Sequence, residues 1–254
     1  MPRTVLPETL DGLAADHPAA MRARRELRRM HRVLGTHDIV LQALLDLTAC
    51  RRYRGDDRSP LRVLELGAGD GSMMLAVAKA AADRLPRVEL TLLDRVGLVT
   101  PETVAGYERL GWHATPQVID AVDWAMADDD PLPGVRQHGR WDVIISNHFL
   151  HHFEGAQLTL LLDAIAARSD RFFACEPRRA RLSLIGSYLL GVFGASRVTR
   201  EDTRLSVHAG FRDADMYEAW PLHTADWSLY EYAAGLVSHC FRAVRDTGRL
   251  TAAE

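Results

Sequence analysis

The 254-residue chain contains only three cysteines, Cys50, Cys175 and Cys240, far apart and without a CxxC pair. That excludes a disulfide framework, argues against a cysteine-based zinc site and fits a reducing cytoplasm. A basic excess is also missing. The formal net charge is −3 and the isoelectric point about 6.4, so nothing global advertises nucleic acid as a partner. Long hydrophobic runs are absent. The longest apolar-rich stretch, 182–195, is interrupted by Gly186, Gly191 and Gly194. It falls short of the ~20 residues that span a bilayer and reads as a buried helix. The opening "MPRTVLPETLDG" has no apolar stretch of the secretory kind, so no signal segment is expected. Repeats and low-complexity tracts are lacking too. What remains is 47% hydrophobic and 26% charged, enough for one globular core of ordinary size.

Periodicity divides the chain. Residues 1–58 read as helical: Leu27, Met30, Val33 and Leu34 recur at helical spacing within Met21–Leu34, and a second helix covers Asp38–Cys50. Arg22, Arg24, Arg25, Arg28, Arg29 and Arg32 occupy the other positions of the first helix. They form a solvated face or a contact for an acidic ligand or a membrane surface. "RRYRGDDRSP" (51–60) reads as a linker. Strands at 61–66, 88–94, within 116–124, at 141–147 and at 171–177 then alternate with helices at 72–85, 101–111 and 157–169. Such alternation implies an α/β fold, a mostly parallel sheet with helices on both faces. Residues 178–216 are helix-rich. Strands at 226–233 and 238–245, joined through Gly235, suit an antiparallel hairpin.

The sharpest local signal is Glu65-Leu66-Gly67-Ala68-Gly69-Asp70-Gly71, between a strand and a helix. The glycines permit a tight turn and close approach of a ligand to the backbone. The spacing is GxGxG rather than the GxGxxG of dinucleotide sites, and Glu65 would repel a pyrophosphate. An acid there suits a ligand carrying an ammonium and a sulfonium. Asp94 ends the next strand, where an α/β fold sets a carboxylate against ribose hydroxyls. Asp120, followed by Ala121, lies after the third strand. An acid there can accept from an adenine amino group, or it can simply belong to a turn.

In this order and spacing, "VLELGAGDGS", "LTLLD", "VIDAVDW", "WDVIISNHFLHHF" and "FFACEP" resemble the class I (Rossmann-like) S-adenosylmethionine-dependent methyltransferases over residues 61–177. The resemblance implies a doubly wound seven-stranded sheet with an antiparallel last strand. It implies S-adenosyl-L-methionine as cofactor, with Glu65, Gly67, Ala68 and Gly69 along its methionine part. Asp94 with Arg95 would take the ribose, Asp120 and Ala121 the adenine, and Asn147 would stand by the transfer site. It divides the chain into an N-terminal helical lid (1–58) and a methyltransferase domain (59–254) carrying a helical cap (178–216). "LRRMHRVLGTHDIV", "SVHAGFRDADM" and "EYAAGLVSHCF" resemble the small-molecule enzymes of secondary and quinone-type metabolism. That implies a phenol, resorcinol or quinol-like acceptor, methylated on oxygen in preference to carbon.

His148, His151 and His152 follow the fourth strand. A histidine can remove the acceptor proton near neutral pH, so His148 and His151 are the catalytic candidates, with packing or capping as their other reading. His152 is expected to be structural. His208 and His223 are further cleft candidates. Leu184, Ile185, Tyr188, Leu189, Leu190, Val192 and Phe193 either line an apolar acceptor pocket or pack on the sheet. Asn147-His148-Phe149 lacks the prolines of an Asn-Pro-Pro-Tyr motif, which argues against base or amide nitrogen as the acceptor. Asp142 and Asp128-Asp129-Asp130 make no magnesium site, and no metal is expected. The rivals are a macromolecular methyltransferase, a nucleotide-binding oxidoreductase and a cofactor-binding protein without turnover. Peripheral membrane contact and the oligomeric state stay open.

Overall fold

The computed structural model describes residues 1–53, 59–81, 83–85, 87–128, 132, 140–189, 194–221 and 227–246. Half of the expected linker (54–58), Asp129 and Asp130, Leu190, Val192, Phe193 and His223 lie outside the described residues. Seven strands form one sheet: β1 (Leu61–Leu66), β2 (Val88–Asp94), β3 (Trp112–Val118), β4 (Val143–Asn147), β5 (Arg171–Pro177), β6 (Trp227–Ala234) and β7 (Ser238–Arg245). Their order is β3-β2-β1-β4-β5-β7-β6. The first five strands pair in parallel, and β7 is antiparallel to both β5 and β6.

The central strands are buried on both faces, which is why they read as continuous apolar runs. Val63, Val143, Ile145, Phe173 and Cys175 face one core, built with α2 (Thr36–Tyr53), α3 (Ser72–Ala81) and α4 (Pro101–Glu108). Leu64, Leu66, Ile144, Phe172 and Ala174 face the other, built with α5 (Ala121–Met126), α6 (Gly155–Arg168) and α9 (Asp215–Ala219). The alternation is the period of two of a strand applied on both sides. It assigns Glu65 to the first core, where it is only 2% exposed.

Three expectations need adjustment. The third strand starts at Trp112, and Ala121-Val122-Asp123-Trp124 opens α5 rather than ending a strand. This strand lies at the sheet edge, so it alternates buried and exposed residues and tolerates Pro116. Residues 1–17 are largely an extended strap with one 3-10 turn at Leu10–Gly12. The first helix, α1 (Pro18–Val33), starts at Pro18 behind a His17 cap and buries Ala20 and Ala23, whereas Val33 is 84% exposed. The helices after β5 are α7 (Arg181–Leu189), α8 (Arg197–Ala209) and α9. On α7 it is Ser183 and Ser187 that are buried, while Leu182, Ile185 and Tyr188 face outward. No helix among the described residues is long and apolar enough to cross a membrane.

Candidate active site

A cavity of about 760 Å³ opens at the carboxyl ends of β1, β2 and β4. The strand order reverses between β1 and β4, and ligands of open α/β sheets bind at such a switch point. Gly67, Ala68, Gly69, Asp94, Arg95, Asp120, Ala121, Asn147, His148 and His151 all line this one cavity. Glu65 does not. It lies in the core at the end of β1, and burial, with Asp94 and Asp70 nearby, pushes its pKa up to about 8.

The floor is the glycine loop. Gly67 has φ +72, and a Cβ there would meet the Phe149 ring at 2.3 Å, so this glycine serves a packing contact. Gly69 has φ +57, and a Cβ there would meet nothing within 4 Å. Its missing side chain leaves open space on the cavity wall. Asp94 ties the loop to β2: Oδ2 accepts from Gly69 N at 2.8 Å and Oδ1 from Val96 N at 2.9 Å. Asp120 caps α5 by accepting from Val122 N at 2.8 Å. Among the described residues, the buried Asn147 Oδ1 and Glu65 Oε2 have no hydrogen-bond partner. The open space at Gly69 and the orphaned Asn147 oxygen on the wall fit a polar ligand laid across the strand ends.

The turn after β4 is held by Glu176 on β5. Its carboxylate accepts from Leu150 N at 2.9 Å, from Phe149 N at 3.2 Å and from the Ser146 hydroxyl at 3.2 Å. It also takes His151 Nδ1–H at 2.8 Å. Burial alone would raise the Glu176 pKa, but the His151 contact and these N–H groups hold it below the usual range. Sequence reasoning quoted "FFACEP" without giving Glu176 a role.

The same turn sets two histidines in opposite environments. His148 has φ +50, an unusual backbone conformation for a residue with a Cβ. Its ring stands edge-on to His31, with centroids 4.5 Å apart. Burial, with His31, His151 and His152 alongside, pushes its pKa well down. His31 is pushed down to about 4 by burial and His37. His151 lies between Glu176 and Glu8, whose Oε1 is 3.5 Å from Nε2. Burial opposes a charge on His151, but the two carboxylates outweigh it and raise its pKa to about 9. His152 Nδ1 is 3.4 Å from Asp11.

The roof is the strap. Arg3 donates to Ala209 O at 2.7 Å and Phe153 O at 2.8 Å, and its guanidinium sits 4.5 Å over the Phe211 ring. Asp202 on α8 accepts from Thr9 N at 2.8 Å and Leu10 N at 2.9 Å. Arg95 pairs with Asp11 of the strap at 3.1 Å. The arginine-rich face of α1 splits. Arg24 and Arg28 line the cavity, with Arg28 paired to Asp70, while Arg25, Arg29 and Arg32 are exposed. Apolar lining comes from Val5, Leu6, Leu10 and Leu13 of the strap, Leu27 and Met73, and, on the sheet side, Leu93, Val96, Leu98, Phe149 and Phe153. Leu184, Ile185 and Tyr188 are not on the wall, and neither is His208, whose carbonyl accepts from Thr4 N. No periodic pattern marks the strap, so sequence reading missed Glu8 and its neighbours.

A family model described as a methyltransferase domain matches residues 38–185, more than half of the chain. The chain belongs to this methyltransferase family. It is an S-adenosylmethionine-dependent methyltransferase with the class I sheet order. Among solved structures, the methyltransferase resembles the plantazolicin methyltransferase BpumL in complex with S-adenosylhomocysteine. Identity is 13%, coverage 91% of each chain and the TM-score 0.60. A second BpumL complex, with a monoazolic desmethylplantazolicin analogue and S-adenosylhomocysteine, matches at 14% identity, covering 90% of this chain and 91% of that one, with a TM-score of 0.61. Magnesium protoporphyrin IX methyltransferase from Synechocystis PCC 6803 matches at 16% identity, covering 93% and 91%, with a TM-score of 0.49. No curated protein matches the chain.

Proposed function

We propose that this methyltransferase acts on an oxygen of a small aromatic or lipophilic metabolite, a phenol, resorcinol or quinol-like molecule. The observation that carries this reading is the cavity. Its 760 Å³ lies toward the upper end of the ~300–1,000 Å³ typical of small-molecule sites. Its floor is polar, its roof carries apolar side chains, and the strap covers it. That is room for a cofactor beside a small acceptor.

In this reading Gly67, Ala68 and Gly69 cradle the methionine part of the cofactor. Asp94 and Arg95 hold the ribose, Asp120 and Ala121 the adenine, and Asn147 uses its free oxygen beside the transfer site. Glu65 is off the wall and keeps its proton at neutral pH, so we assign it to the core beneath the loop rather than to the cofactor. The bound cofactor supplies a methyl group activated by a sulfonium. The chain's own part is to align the acceptor, exclude water and take its proton. His148 lines the cavity and is neutral at neutral pH, so its lone pair is available to the proton of an acceptor hydroxyl, although its lowered pKa makes it a weak base. Both ring nitrogens of His151 face carboxylates, so we assign it to holding the turn rather than to proton transfer.

The test is calorimetric titration with S-adenosylhomocysteine, with NADH as control, followed by turnover with phenolic acceptors. Micromolar binding of the first ligand alone is expected. Asp94→Ala should weaken it by about tenfold or more, since it removes a charge-assisted acceptor worth ~1.5–3 kcal/mol. Preference for NADH would remove the cofactor assignment, and an unchanged dissociation constant in the variant would remove Asp94 from the site.

A further inference from the structure

Above the turn after β4, residues from opposite parts of the chain bring metal-ligating atoms together. One carboxylate oxygen of Glu8, one ring nitrogen of His151 and one of His152 all lie within 4.8 Å of one another. We propose that Glu8, His151 and His152 form a binding site for a divalent transition-metal cation of the zinc or iron(II) type.

The donor set selects the class of ion. Two imidazoles and a carboxylate suit zinc and iron(II), whereas magnesium and calcium take oxygen ligands almost throughout. Three protein ligands also leave open coordination positions, the pattern of reactive rather than purely structural sites. Support around the ligands is in place. Metal-binding histidines usually give their second ring N–H to a carboxylate, which fixes the tautomer and aims the other nitrogen. Glu176 does this for His151: it takes Nδ1–H at 2.8 Å, and Nε2 is left facing Glu8 at 3.5 Å. Glu176 is in turn fixed by Leu150 N. The Ser206 hydroxyl donates to Glu8 Oε1. Asp11 Oδ2 stands 3.4 Å from His152 Nδ1, close enough to orient that ring or to add a fourth ligand.

The charge balance also favours a cation. The carboxylates of Glu8, Asp11 and Glu176 face the cluster. Of the guanidiniums nearby, Arg95 pairs with Asp11, and Arg3 donates to the Phe153, Ala209 and His151 carbonyls. Glu8, Asp11, His151 and His152 all line the cleft, so an ion has an entry path and would turn its open positions toward an acceptor oxygen. Two ligands are neighbours in sequence and the third comes from the strap, so the ion would also latch the roof to the turn. A proton on His151 bridging its two carboxylates is the competing account of the same geometry.

The experiment uses the full chain, free of any histidine tag, treated with a chelator and then titrated with cobalt(II). Visible d–d absorption is the readout, and zinc competition is followed by calorimetry. One equivalent is expected, with a tetrahedral or five-coordinate spectrum, displaced by zinc. Glu8→Gln and His152→Gln should each weaken binding by at least about tenfold, since loss of even an outer-shell partner costs a metal site about 10–100-fold. His208→Gln, off the cavity wall, should leave it unchanged. Circular dichroism checks that each variant is folded. Absence of a d–d band in the wild-type protein, or a band of equal affinity in both ligand variants, would overturn the metal site and leave the bridging proton. The readout needs no methyl transfer, so it stands or falls apart from the cofactor titration.

Discussion

Replacing Glu65 by glutamine should change how stability depends on pH, and the size of the change follows from where Glu65 sits. The carboxyl group is 2% exposed, and burial together with Asp94 and Asp70 raises its pKa from an ordinary 4.5 to about 8. Folded protein therefore keeps the proton between these values, while unfolded protein has released it. Stability contributed by this proton is fully present below about pH 4.5 and is lost as pH rises through about 8. The full span corresponds to about 5 kcal/mol at ~1.36 kcal/mol per pH unit. Glutamine carries no such linkage. Its own buried amide costs about 1–3 kcal/mol, but that cost does not vary with pH. The difference between wild type and variant should thus shift by about 2.7 kcal/mol from pH 5.5 to 7.5. That is about 5–10 °C in relative Tm for a chain of this size. The other ionisable groups, the histidine cluster included, remain in both proteins and largely cancel. Thermal and urea unfolding at half-unit pH intervals measure it. Parallel stability curves for the two proteins would refute the assignment of a protonated, buried Glu65.

Three further outcomes separate the roles in the cleft. Gly67→Ala drives a Cβ into Phe149 and should destabilise the fold by about 2 kcal/mol or more, whereas Gly69→Ala meets no atom and should cost only the ~1 kcal/mol of its positive φ. Gly69→Ala should instead weaken S-adenosylhomocysteine at least tenfold; calorimetry and urea titration on both variants would expose the reverse ranking. His148→Ala should lower kcat by about 10²–10⁴-fold, the usual worth of a general base, while cofactor affinity holds. Unchanged turnover would withdraw the base. Asp202→Ala removes the acceptor for Thr9 N and Leu10 N, so it should raise the acceptor KM severalfold and increase protease cleavage in residues 1–17. A strap equally resistant in both proteins would mean that its other contacts, Arg3, Thr4 N and the Arg95–Asp11 pair, anchor it without Asp202.

The elements that could be read from sequence share a physical feature: their structure is decided locally. β1, β2 and β5 are buried on both faces, so an apolar run marks their limits, and β1 stops before Gly67 and β5 at Pro177. Asp94 and Asn147 end their strands and the glycine loop and Asp120 come just after theirs, and the sheet alone brings those strand ends to one cleft. β3 was displaced because an edge strand covered on one side carries polar residues at alternate positions and looks like a loop. Val33 was assigned inward because α1 packs through the small residues Ala20 and Ala23, which spacing of large apolar side chains does not reveal. The acceptor half is another matter. Its walls come from a strap with no period of its own, ordered by Arg3 and by Asp202 from the far end of the chain. In the proposed function, substrate choice would rest on the segment whose sequence says least.

The histidines show why motif alone cannot assign chemistry. His148 and His151 lie within one four-residue stretch and read alike as candidate bases. One has its pKa pushed well down among other imidazoles, and the other is raised to about 9 by Glu176 and Glu8. Pairs of titratable groups driven apart in this way mark separate roles. Whether His151 carries a proton or a metal ion, neither of its nitrogens has a lone pair free for the acceptor. His148 is neutral, faces the cavity and is held at φ +50 by a turn that Glu176 fastens. Backbone strain of about 1–3 kcal/mol persists only where surrounding contacts impose it. Here the contacts that impose it also separate the two histidines, so Glu176 would set both the position of the base and the identity of the residue that serves as one.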